Sequence, residues 1–569
     1  MRGSCTTTRR GPLPLSHMGD WLADGLAENP QAGGDDGHSS QTGPVTKLEN
    51  AYMTPDALTR AVQDFLGEAV GAVVLEDGAV TFDLARAKYS ISGEYNKCLL
   101  HLWSQERNTV RRVLDAEVKS GTLRLFVQKL GQSRPSKLEI CRERDRRTPT
   151  AKRALRLAYE HTLRRALERH FAGFAIVRLT TAVNLEKSFG PIYARGLLRH
   201  GQSGLAVLGV NAGETQSSID AALTFGMLWL HECREAQAGK MLVEGLMLFV
   251  PPGSSGLVRE RMANLNRDAA KWRLFELEER HDALLEIDCS DRGNVATRLV
   301  HATDESTARE RFVESIVRMQ GLLPNCEVAV LSAAEIAFRW RGLEFARARM
   351  GAEAETFRSR QEIVFGVGAE ERVLDERNQN TFLELVTVLR DVRHPYGARG
   401  HALWRMHPER WLESLVAADV SVVDGRLDSA CAYSQVPAFS AADRAMIDVL
   451  TTTREGRLAV VELKADEDIH LPLQGLDYWA RVAWHHERGE FQRFGYFEGR
   501  ELSSEKPLLF LVAPALHVHP TTDILLRYIS PEIEWEFAGI DERWREGVKV
   551  IFRKRAECGI RRGGTERLG

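Results

Sequence analysis

Two carboxylates and one ammonium group in the last quarter of the sequence are spaced so that a β-hairpin would bring them together. Asp448 precedes a turn segment, and Glu462 and Lys464 follow it in the strand-like run LAVVELKA. Because alternate side chains of a strand share a face, Glu462 and Lys464 point the same way. If the turn centres near Glu455, antiparallel pairing sets Asp448 opposite Glu462, with Cβ atoms about 5 Å apart. The sequence therefore predicts a cluster of three charged groups.

This cluster has the composition of a site for a hard divalent cation. Two neighbouring carboxylates repel each other, and a bound cation removes that repulsion. Oxygen ligands at this spacing suit Mg²⁺ or Mn²⁺, which share their coordination positions with water and substrate phosphate, while Lys464 would orient or deprotonate the attacking water. The next predicted helix adds Gln474 and Tyr478, four residues apart on one face. These features predict metal-dependent phosphodiester hydrolysis, and the alternative is an edge hairpin with a solvated Glu-Lys face.

Three motifs in this stretch carry a resemblance to a known family. They are Asp448, Glu462-Leu-Lys464 and Gln474-x-x-x-Tyr478. Together they resemble the active-site motifs of the PD-(D/E)XK nuclease superfamily, and the Gln-Tyr helix is similar to that of RecB-type and NucS-type nuclease domains. Ile447 stands where the family often has proline. The resemblance covers about residues 406–552 and implies a restriction-endonuclease-like α/β core, which we place at residues 401–556.

The same resemblance assigns roles to further residues. It implies an acidic residue on the helix before the hairpin, which Glu413 matches, and a polar residue on the first core strand, which Gln435 matches. Gln474 and Tyr478 are implied to position the active site and the substrate strand. Glu413 is thus expected to join the two hairpin carboxylates as a metal ligand.

The composition indicates several domains and no membrane-spanning segment. The 569 residues are enough for three or four domains, and 43% hydrophobic residues, 27% charged residues and a net charge of −3 are ordinary for a soluble protein. No apolar run is long enough to span a bilayer, so we expect no membrane partner. The eight cysteines occur singly, without the paired spacing of structural zinc, which suits a reducing cytoplasm.

Positive charge is concentrated in residues 101–170, which hold 18 Lys and Arg against 8 Asp and Glu. Short strand-like runs predict a β-rich basic domain over residues 53–150, between a disordered tail at 1–50 and the next domain. Its basic side chains predict contacts to a nucleic-acid backbone, and the alternative is a solvated surface. The predicted contact residues are Arg107, Arg111, Arg112, Lys129 and Arg134.

Residues 151–265 repeat the order of predicted helices and strands in the C-terminal domain. With a constant offset of 253 residues, LAVLGVNAGE falls on LAVVELKADE and Glu160 on Glu413. The catalytic positions Asp448, Glu462, Lys464 and Gln474 then correspond to Arg195, Gly209, Asn211 and Ala221. We interpret this region as a degenerate, metal-free copy of the nuclease fold, and the alternative is an unrelated α/β segment. Residues 266–400 are predicted to be a mostly helical connection, and residues 557–569 a flexible tail.

Together these features predict an α/β protein that acts as a Mg²⁺-dependent deoxyribonuclease in DNA repair or in defence against foreign DNA. The rival hypothesis is a non-catalytic nucleic-acid-binding protein that uses a nuclease-like fold. DNA is the expected partner, and either a homodimer or an internal pseudo-dimer is compatible with the repeat.

Overall fold

The computed structural model describes residues 54–556 apart from short gaps. The gaps are residues 69–71, 77–78, 85–86, 94–96, 104–107, 120–121, 130–134, 142–148, 185–186, 188, 291–296, 303, 353–358, 369–370 and 441–443. The described part is a mixed α/β structure with several sheets. The chain divides into two compact units, one mainly from residues 37–263 and one mainly from residues 292–569. In the described ranges, no helix is long and apolar enough to cross a membrane. The two predicted tails lie outside the described residues.

Residues 55–141 form a helix packed on a seven-stranded antiparallel sheet. The elements are α1 (Pro55–Glu68), β1 (Val73–Glu76), β2 (Ala79–Asp83), β3 (Lys88–Ser92), β4 (Cys98–Trp103), β5 (Asn108–Lys119), β6 (Thr122–Lys129) and β7 (Pro135–Cys141). The strand order is β2-β1-β7-β6-β5-β4-β3. Leu58, Val62 and Phe65 share one face of α1 and join the buried apolar side chains of the sheet.

Residues 149–287 form a six-stranded mixed sheet with helices on both faces. The elements are α2 (Pro149–His170), β8 (Ala175–Thr180), β9 (Tyr193–His200), β10 (Ser203–Val210), α3 (Gln216–Asp220), α4 (Ala222–Gln237), β11 (Leu242–Val250), α5 (Gly256–Ala263), β12 (Lys271–Glu278) and β13 (Ala283–Ile287). The strand order is β13-β12-β11-β10-β9-β8. The sheet therefore continues past residue 265, where the predicted domain ends.

Residues 297–392 contain a further sheet and three helices. The elements are β14 (Thr297–Leu299), α6 (Glu305–Arg311), α7 (Val313–Leu322), β15 (Glu327–Ser332), β16 (Glu335–Trp340), β17 (Leu343–Ala352), β18 (Ser359–Phe365), β19 (Arg372–Val373) and α8 (Gln379–Val392). Strands β15 to β19 form an antiparallel sheet in sequence order. The prediction of a mostly helical connection is wrong here. Ile336 and Phe338 are buried at the alternate positions of a strand, and charged pairs across the strands, such as Arg349 and Glu362, obscured that period in the sequence.

Residues 402–555 form the C-terminal mixed sheet, which carries the predicted site. The elements are α9 (Ala402–Arg405), α10 (Pro408–Ala418), β20 (Tyr433–Ser440), β21 (Arg444–Thr452), β22 (Leu458–Leu463), α11 (Leu471–Glu487), α12 (Glu490–Arg493), β23 (Leu508–Pro514), α13 (Thr522–Leu526), β24 (Trp535–Ile540) and β25 (Val550–Arg555). The strand order is β14-β20-β21-β22-β23-β24-β25. Helix α10 covers one face through Trp411 and Leu412, and α11 covers the other.

The two mixed sheets share one connectivity. In each, three antiparallel strands are followed by a helix, two strands that pair in parallel, and a last antiparallel strand. A long helix crossover is what a parallel pair requires, and α4 and α11 provide it. Strands β8 to β13 therefore follow the same path as β20 to β25.

Candidate active site

The β21–β22 hairpin brings Asp448 and Glu462 together. Val449 pairs with Val461, and the same antiparallel register sets Asp448 opposite Glu462. The backbone N–H of Leu463 donates a hydrogen bond to Oδ2 of Asp448 at 2.9 Å. The predicted hairpin and its register are confirmed.

Glu462 points away from α10 and into the contact between β22 and α11. Its neighbours Val461 and Leu463 pack on the other face with Trp411, so the alternation of the strand directs Glu462 toward α11. There a Cβ built on Gly475 would lie 3.7 Å from Cβ of Glu462. Only 2% of Glu462 is exposed. The strand thus holds a carboxylate at a depth where apolar side chains are the rule.

Lys464 completes the group of charges that the sequence predicts. Its Nζ lies 3.4 Å from Oε1 of Glu462 and 3.8 Å from Oε1 of Glu409. Its backbone N–H donates to the carbonyl of Val512 on β23, which fixes the end of β22 against the sheet. The sequence analysis missed Glu409. Its place in the first turn of α10, four residues before Glu413, is the signal that could have found it.

The carboxylates of this group are protonated more readily than isolated ones. Burial, followed by repulsion from Asp448, raises the pKa of Glu462 well above its ordinary value, while Lys464 opposes the shift. Burial also raises the pKa of Asp448, against the hydrogen bond from Leu463 and the charge of Lys464. Although burial lowers the pKa of Lys464, the charges of Glu462 and Glu409 raise it above its ordinary value. Lys464 is therefore a cation at neutral pH in the metal-free protein.

Glu413 and Gln435 contact each other directly. Nε2 of Gln435 donates to Oε2 of Glu413 at 2.7 Å, and the guanidinium of Arg410 donates to the same oxygen at 3.0 Å. Gln435 has a φ of 55° and is skipped in the β20–β21 ladder, where Ser434 pairs with Val449 and Val436 with Ile447. The register is the same on both sides of Gln435, which falls opposite Asp448, so its positive φ is a local backbone distortion that accompanies the Gln435–Glu413 contact. Burial raises the pKa of Glu413 to about 7, with Arg410 lowering and Asp448 raising it.

The helix residues Gln474 and Tyr478 also belong to the site. Oε1 of Gln474 and Oε2 of Glu462 are both buried, and neither has a hydrogen-bond partner within the described part of the chain. Burial, and then the charges of Glu462 and Asp448, raise the pKa of Tyr478, so its phenol stays neutral. The structure therefore places two unsatisfied oxygens and a neutral phenol at the α11 side of the two carboxylates.

A cavity of about 340 Å³ opens onto Asp448, Glu409 and Glu413. It is lined by His407, Pro408, Glu409, Arg410, Glu413, Asp448 and Asp466. A second cavity, of about 230 Å³, is lined by Glu327, Arg339, Gly342, Arg410, Glu413, Ser414, Ala417, Ala418 and Ser434. Arg410 and Glu413 line both, so their ion pair separates the two spaces.

The residues fit a divalent cation held by two carboxylates rather than three. Across the described ranges, no group of three or more His, Cys, Asp or Glu side chains has a metal-binding arrangement. The expected third ligand, Glu413, has one oxygen occupied by Gln435 and Arg410. The buried, unpartnered oxygen of Glu462 beside Asp448 still provides the kind of hard donor that Mg²⁺ or Mn²⁺ accepts.

In the other mixed sheet, Arg195 takes the position of Asp448. Arg195 pairs with Leu208, and both point toward α4 because Ala194 and Val207 pack with α2 on the opposite face. Leu208, not Gly209, therefore corresponds to Glu462. A Cβ on Gly209 would meet Oη of Tyr159 on α2, which confirms that Gly209 points to the wrong face.

The mismatch arises at the hairpin turn. The β9–β10 turn has two residues between His200 and Ser203, whereas three residues separate Thr453 from Arg457 in the other hairpin. The difference in residue number between corresponding positions is thus 253 in the strand before the turn and 254 in the strand after it. One extra residue reverses the face of every later side chain, so the predicted matches of Gly209 to Glu462 and of Asn211 to Lys464 are wrong. Val210 takes the place of Lys464.

Arg195 is a buried cation among aromatic rings. Its guanidinium lies 4.7 Å from the ring centre of Phe189 and 5.4 Å from that of Trp229, and it donates to the carbonyl of Ala182. Among the described residues Arg195 makes no ion pair with Glu160, and Oε2 of Glu160 accepts from the backbone N–H and the hydroxyl of Thr181 at 2.8 and 2.9 Å. This sheet therefore has no counterpart of the paired carboxylates.

The predicted phosphate contacts of the N-terminal domain are partly occupied. Nε and Nη2 of Arg111 each donate to Glu76 at 2.9 Å, so this guanidinium is neutralised within the sheet. Arg112 is half-buried on β5 and has no partner among the described side chains. Lys129 is the last residue of β6, and Arg107 and Arg134 lie outside the described residues.

No protein-family model, curated protein or solved structure matches this chain.

Proposed function

We propose that the protein is a metal-dependent nuclease that hydrolyses DNA phosphodiester bonds in DNA repair or defence, with its active site on the C-terminal mixed sheet. The observation that carries this proposal is Glu462. A carboxylate that is 2% exposed, has one oxygen without a partner and faces a second carboxylate is unfavourable for the fold alone. Its burial is understandable if the pair Asp448 and Glu462 binds a cation.

The residues around the pair would then divide the chemistry. A divalent cation such as Mg²⁺ or Mn²⁺, when bound, supplies Lewis-acid stabilisation of phosphate charge and lowers the pKa of water. Asp448 and Glu462 would hold it, and Glu413 extends the negative charge of the cavity wall. Lys464, as a cation, would orient the attacking water toward the phosphorus.

Substrate orientation would fall to α11, which carries Gln474 and Tyr478, and to α10, which borders the cavity. Tyr478, which stays neutral, can donate a hydrogen bond to a phosphate oxygen, and Gln474 can position the carboxylate beside it. Arg410 places one guanidinium in the lining of the same cavity, beside four carboxylates, where it can meet a phosphate oxygen of the substrate. Gln435 would hold Glu413 in place through its 2.7 Å hydrogen bond.

We further propose that residues 149–287 are a degenerate copy of the C-terminal, restriction-endonuclease-like domain. The shared connectivity and the matching faces of Arg195 and Asp448 support a common origin. With Arg195, Leu208 and Val210 in place of the three charged residues, this copy would serve as a clamp on DNA or as an internal pseudo-dimer partner.

A cleavage assay with several substrates tests the proposed activity. Purified protein is incubated with circular single-stranded, linear duplex and forked DNA in Mg²⁺ or Mn²⁺, and in parallel with EDTA or Ca²⁺. We expect at least one DNA to be cut in Mg²⁺ or Mn²⁺, and binding without hydrolysis in Ca²⁺. Cleavage in EDTA would refute the metal, and no cleavage of any DNA would favour the non-catalytic alternative.

A further inference from the structure

Two arginines contact the buried ring of Trp411, and only one of them has its hydrogen bonds satisfied. Arg393 lies 4.9 Å from the ring centre and is completely buried. It donates to the backbone carbonyls of Trp340, Arg341, Leu403, Met406 and His407. Arg545 lies 5.3 Å from the same ring, and its guanidinium has neither a hydrogen bond nor a salt bridge to any described residue.

The guanidinium of Arg545 is nevertheless held rigidly. It lies 4.1 Å from the ring centre of Trp404 and 4.1 Å from that of Trp544. Stacking on two indole rings fixes the plane of the fork while leaving its N–H groups without acceptors. A planar, fixed guanidinium that lacks an acceptor is suited to bind an oxyanion.

Arg545 stands beside the active-site cavity. It lies 5.3 Å from the ring centre of Trp411, and Arg410, the residue before Trp411, lines that cavity together with Asp448. Asp466, which also lines the cavity, is one of the charged groups that act on Arg545. On the same turn as Arg545, Glu546 accepts a hydrogen bond from the hydroxyl of Tyr396 at 3.5 Å. A line of side chains therefore leads from the catalytic carboxylates past Arg545 to Tyr396.

Tyr396 presents an aromatic face to solvent. It is 78% exposed, although large aromatic side chains are usually mostly covered. An exposed ring that contacts the turn carrying a cationic side chain, here Arg545, is an arrangement with which proteins stack unpaired bases while holding the adjacent phosphate. Bases in a duplex are already stacked on their neighbours, so this surface discriminates in favour of unpaired nucleotides.

We propose that Arg545 and Tyr396 form a subsite for an unpaired nucleotide next to the scissile phosphodiester, with its phosphate on Arg545 and its base on Tyr396. The preferred substrates are then single-stranded DNA or duplexes with single-stranded arms. This inference rests on the proposed nuclease function and names its substrate class.

Binding in EDTA tests the subsite without relying on cleavage. Fluorescence anisotropy is measured with a labelled single-stranded 12-mer and with the matching duplex, for the wild type and for Tyr396→Ala, Tyr396→Phe, Arg545→Ala and Arg543→Ala. Arg543 is the matched control, since it lies on the same turn, is 72% exposed and is paired with Asp541. Thermal melts check the fold of Arg545→Ala, and the exposed Tyr396 variants keep the test decisive if that variant unfolds.

We expect Tyr396→Ala to weaken single-strand binding about tenfold, the effect of losing one stacked base, and to leave duplex binding within about twofold. Tyr396→Phe, which keeps the ring, and Arg543→Ala should bind like the wild type. Unchanged single-strand binding by Tyr396→Ala would overturn the subsite, as would an equal loss for the duplex. Failure of the nuclease proposal appears separately, as absence of Mg²⁺-dependent or Mn²⁺-dependent cleavage by the wild type.

Discussion

The two mixed sheets follow the same path but place opposite charges at the same point. The C-terminal sheet sets Asp448 opposite Glu462 in its hairpin, and the other sheet sets Arg195 opposite Leu208. Both hairpins are buried on both faces, so the architecture itself does not require acidic residues there. The same strand path therefore forms with or without the paired carboxylates.

The neighbouring helices differ in the same sense. Gly226 of α4 and Gly475 of α11 each approach the fourth strand of their own sheet. When these two glycines are matched, Trp229 corresponds to Tyr478. Trp229 stacks on Arg195, whereas Tyr478 lies near Asp448. One helix therefore stabilises a cation with an aromatic face, and the other brings a polar group to two carboxylates.

The largest difference between the sheets should be in catalysis. Asp448→Asn and Lys464→Ala should each reduce DNA cleavage on the order of a thousandfold, because they remove a metal ligand and the cation that orients water. Leu208→Met, in the other sheet at the position that corresponds to Glu462, should leave the rate within about twofold. Initial rates in Mg²⁺, with the exposed Asp523→Asn as a second control, provide the check. Equal losses of cleavage rate in Asp448→Asn and Leu208→Met would contradict the proposal that only the C-terminal sheet is catalytic.

Exchanging residues between the two sheets should change stability in opposite directions. In EDTA, Glu462→Leu should raise the free energy of unfolding by about 1–3 kcal/mol, since it replaces a buried charge with the type of residue found at Leu208. Leu208→Glu should lower it by about 1–4 kcal/mol, because the cost of desolvating a carboxylate there exceeds its attraction to Arg195, which lies opposite. Urea titrations followed by circular dichroism measure both. A destabilising Glu462→Leu would mean that the carboxylate serves the fold.

The C-terminal sheet should also respond to pH in a way that the other does not. Burial raises the pKa of Glu462 and Glu413 above the ordinary value of 4.5, so the folded protein binds more protons than the unfolded chain. In EDTA, the contribution of these two groups to the free energy of unfolding should therefore be largest below about pH 4.5 and decrease as the pH rises. The contribution of Glu413 should be lost by about pH 7. Unfolding free energies at pH 5 and 7.5 should differ less in Glu462→Leu, and an unchanged difference would contradict the assignment.

The smallest effect concerns the basic sheet of the N-terminal domain. Arg112→Ala should reduce the slope of log affinity against log salt by about 0.9, the value for one phosphate contact. Arg111→Ala should leave that slope unchanged, because Glu76 already neutralises Arg111. Duplex binding in 50 to 200 mM salt tests the pair, and equal slopes in both variants and the wild type would assign this surface no role in DNA contact.

Local pattern was enough to predict the β21–β22 hairpin and the helix α11 that follows it. Period-two alternation around a Gly456 turn fixes which side chains share a face, and a four-residue spacing does the same for Gln474 and Tyr478. The contact of Glu413 with Gln435 accompanies a positive φ at Gln435, which a regular strand pattern does not reveal. Glu409 was missed because its contact with Lys464 is made between a helix and a strand far apart in sequence.

Two errors have physical causes that the sequence conceals. The charged faces of β16 to β18 resemble a solvated helix until the cross-strand pairs are seen, as with Arg349 and Glu362. The one-residue difference between the hairpin turns cannot be read from an ungapped comparison, yet it exchanges Gly209 for Leu208 at the decisive position.

Mn²⁺ binding provides the most direct test of the central claim, that the C-terminal carboxylate pair holds a metal ion and the other sheet does not. Free Mn²⁺ is counted by electron paramagnetic resonance as it is added to the wild type, Glu462→Gln, Asp448→Asn and Leu208→Met, with no DNA present. The account predicts a site in the wild type and in Leu208→Met that is lost in Glu462→Gln and Asp448→Asn. Undiminished Mn²⁺ binding by Glu462→Gln and Asp448→Asn would contradict it.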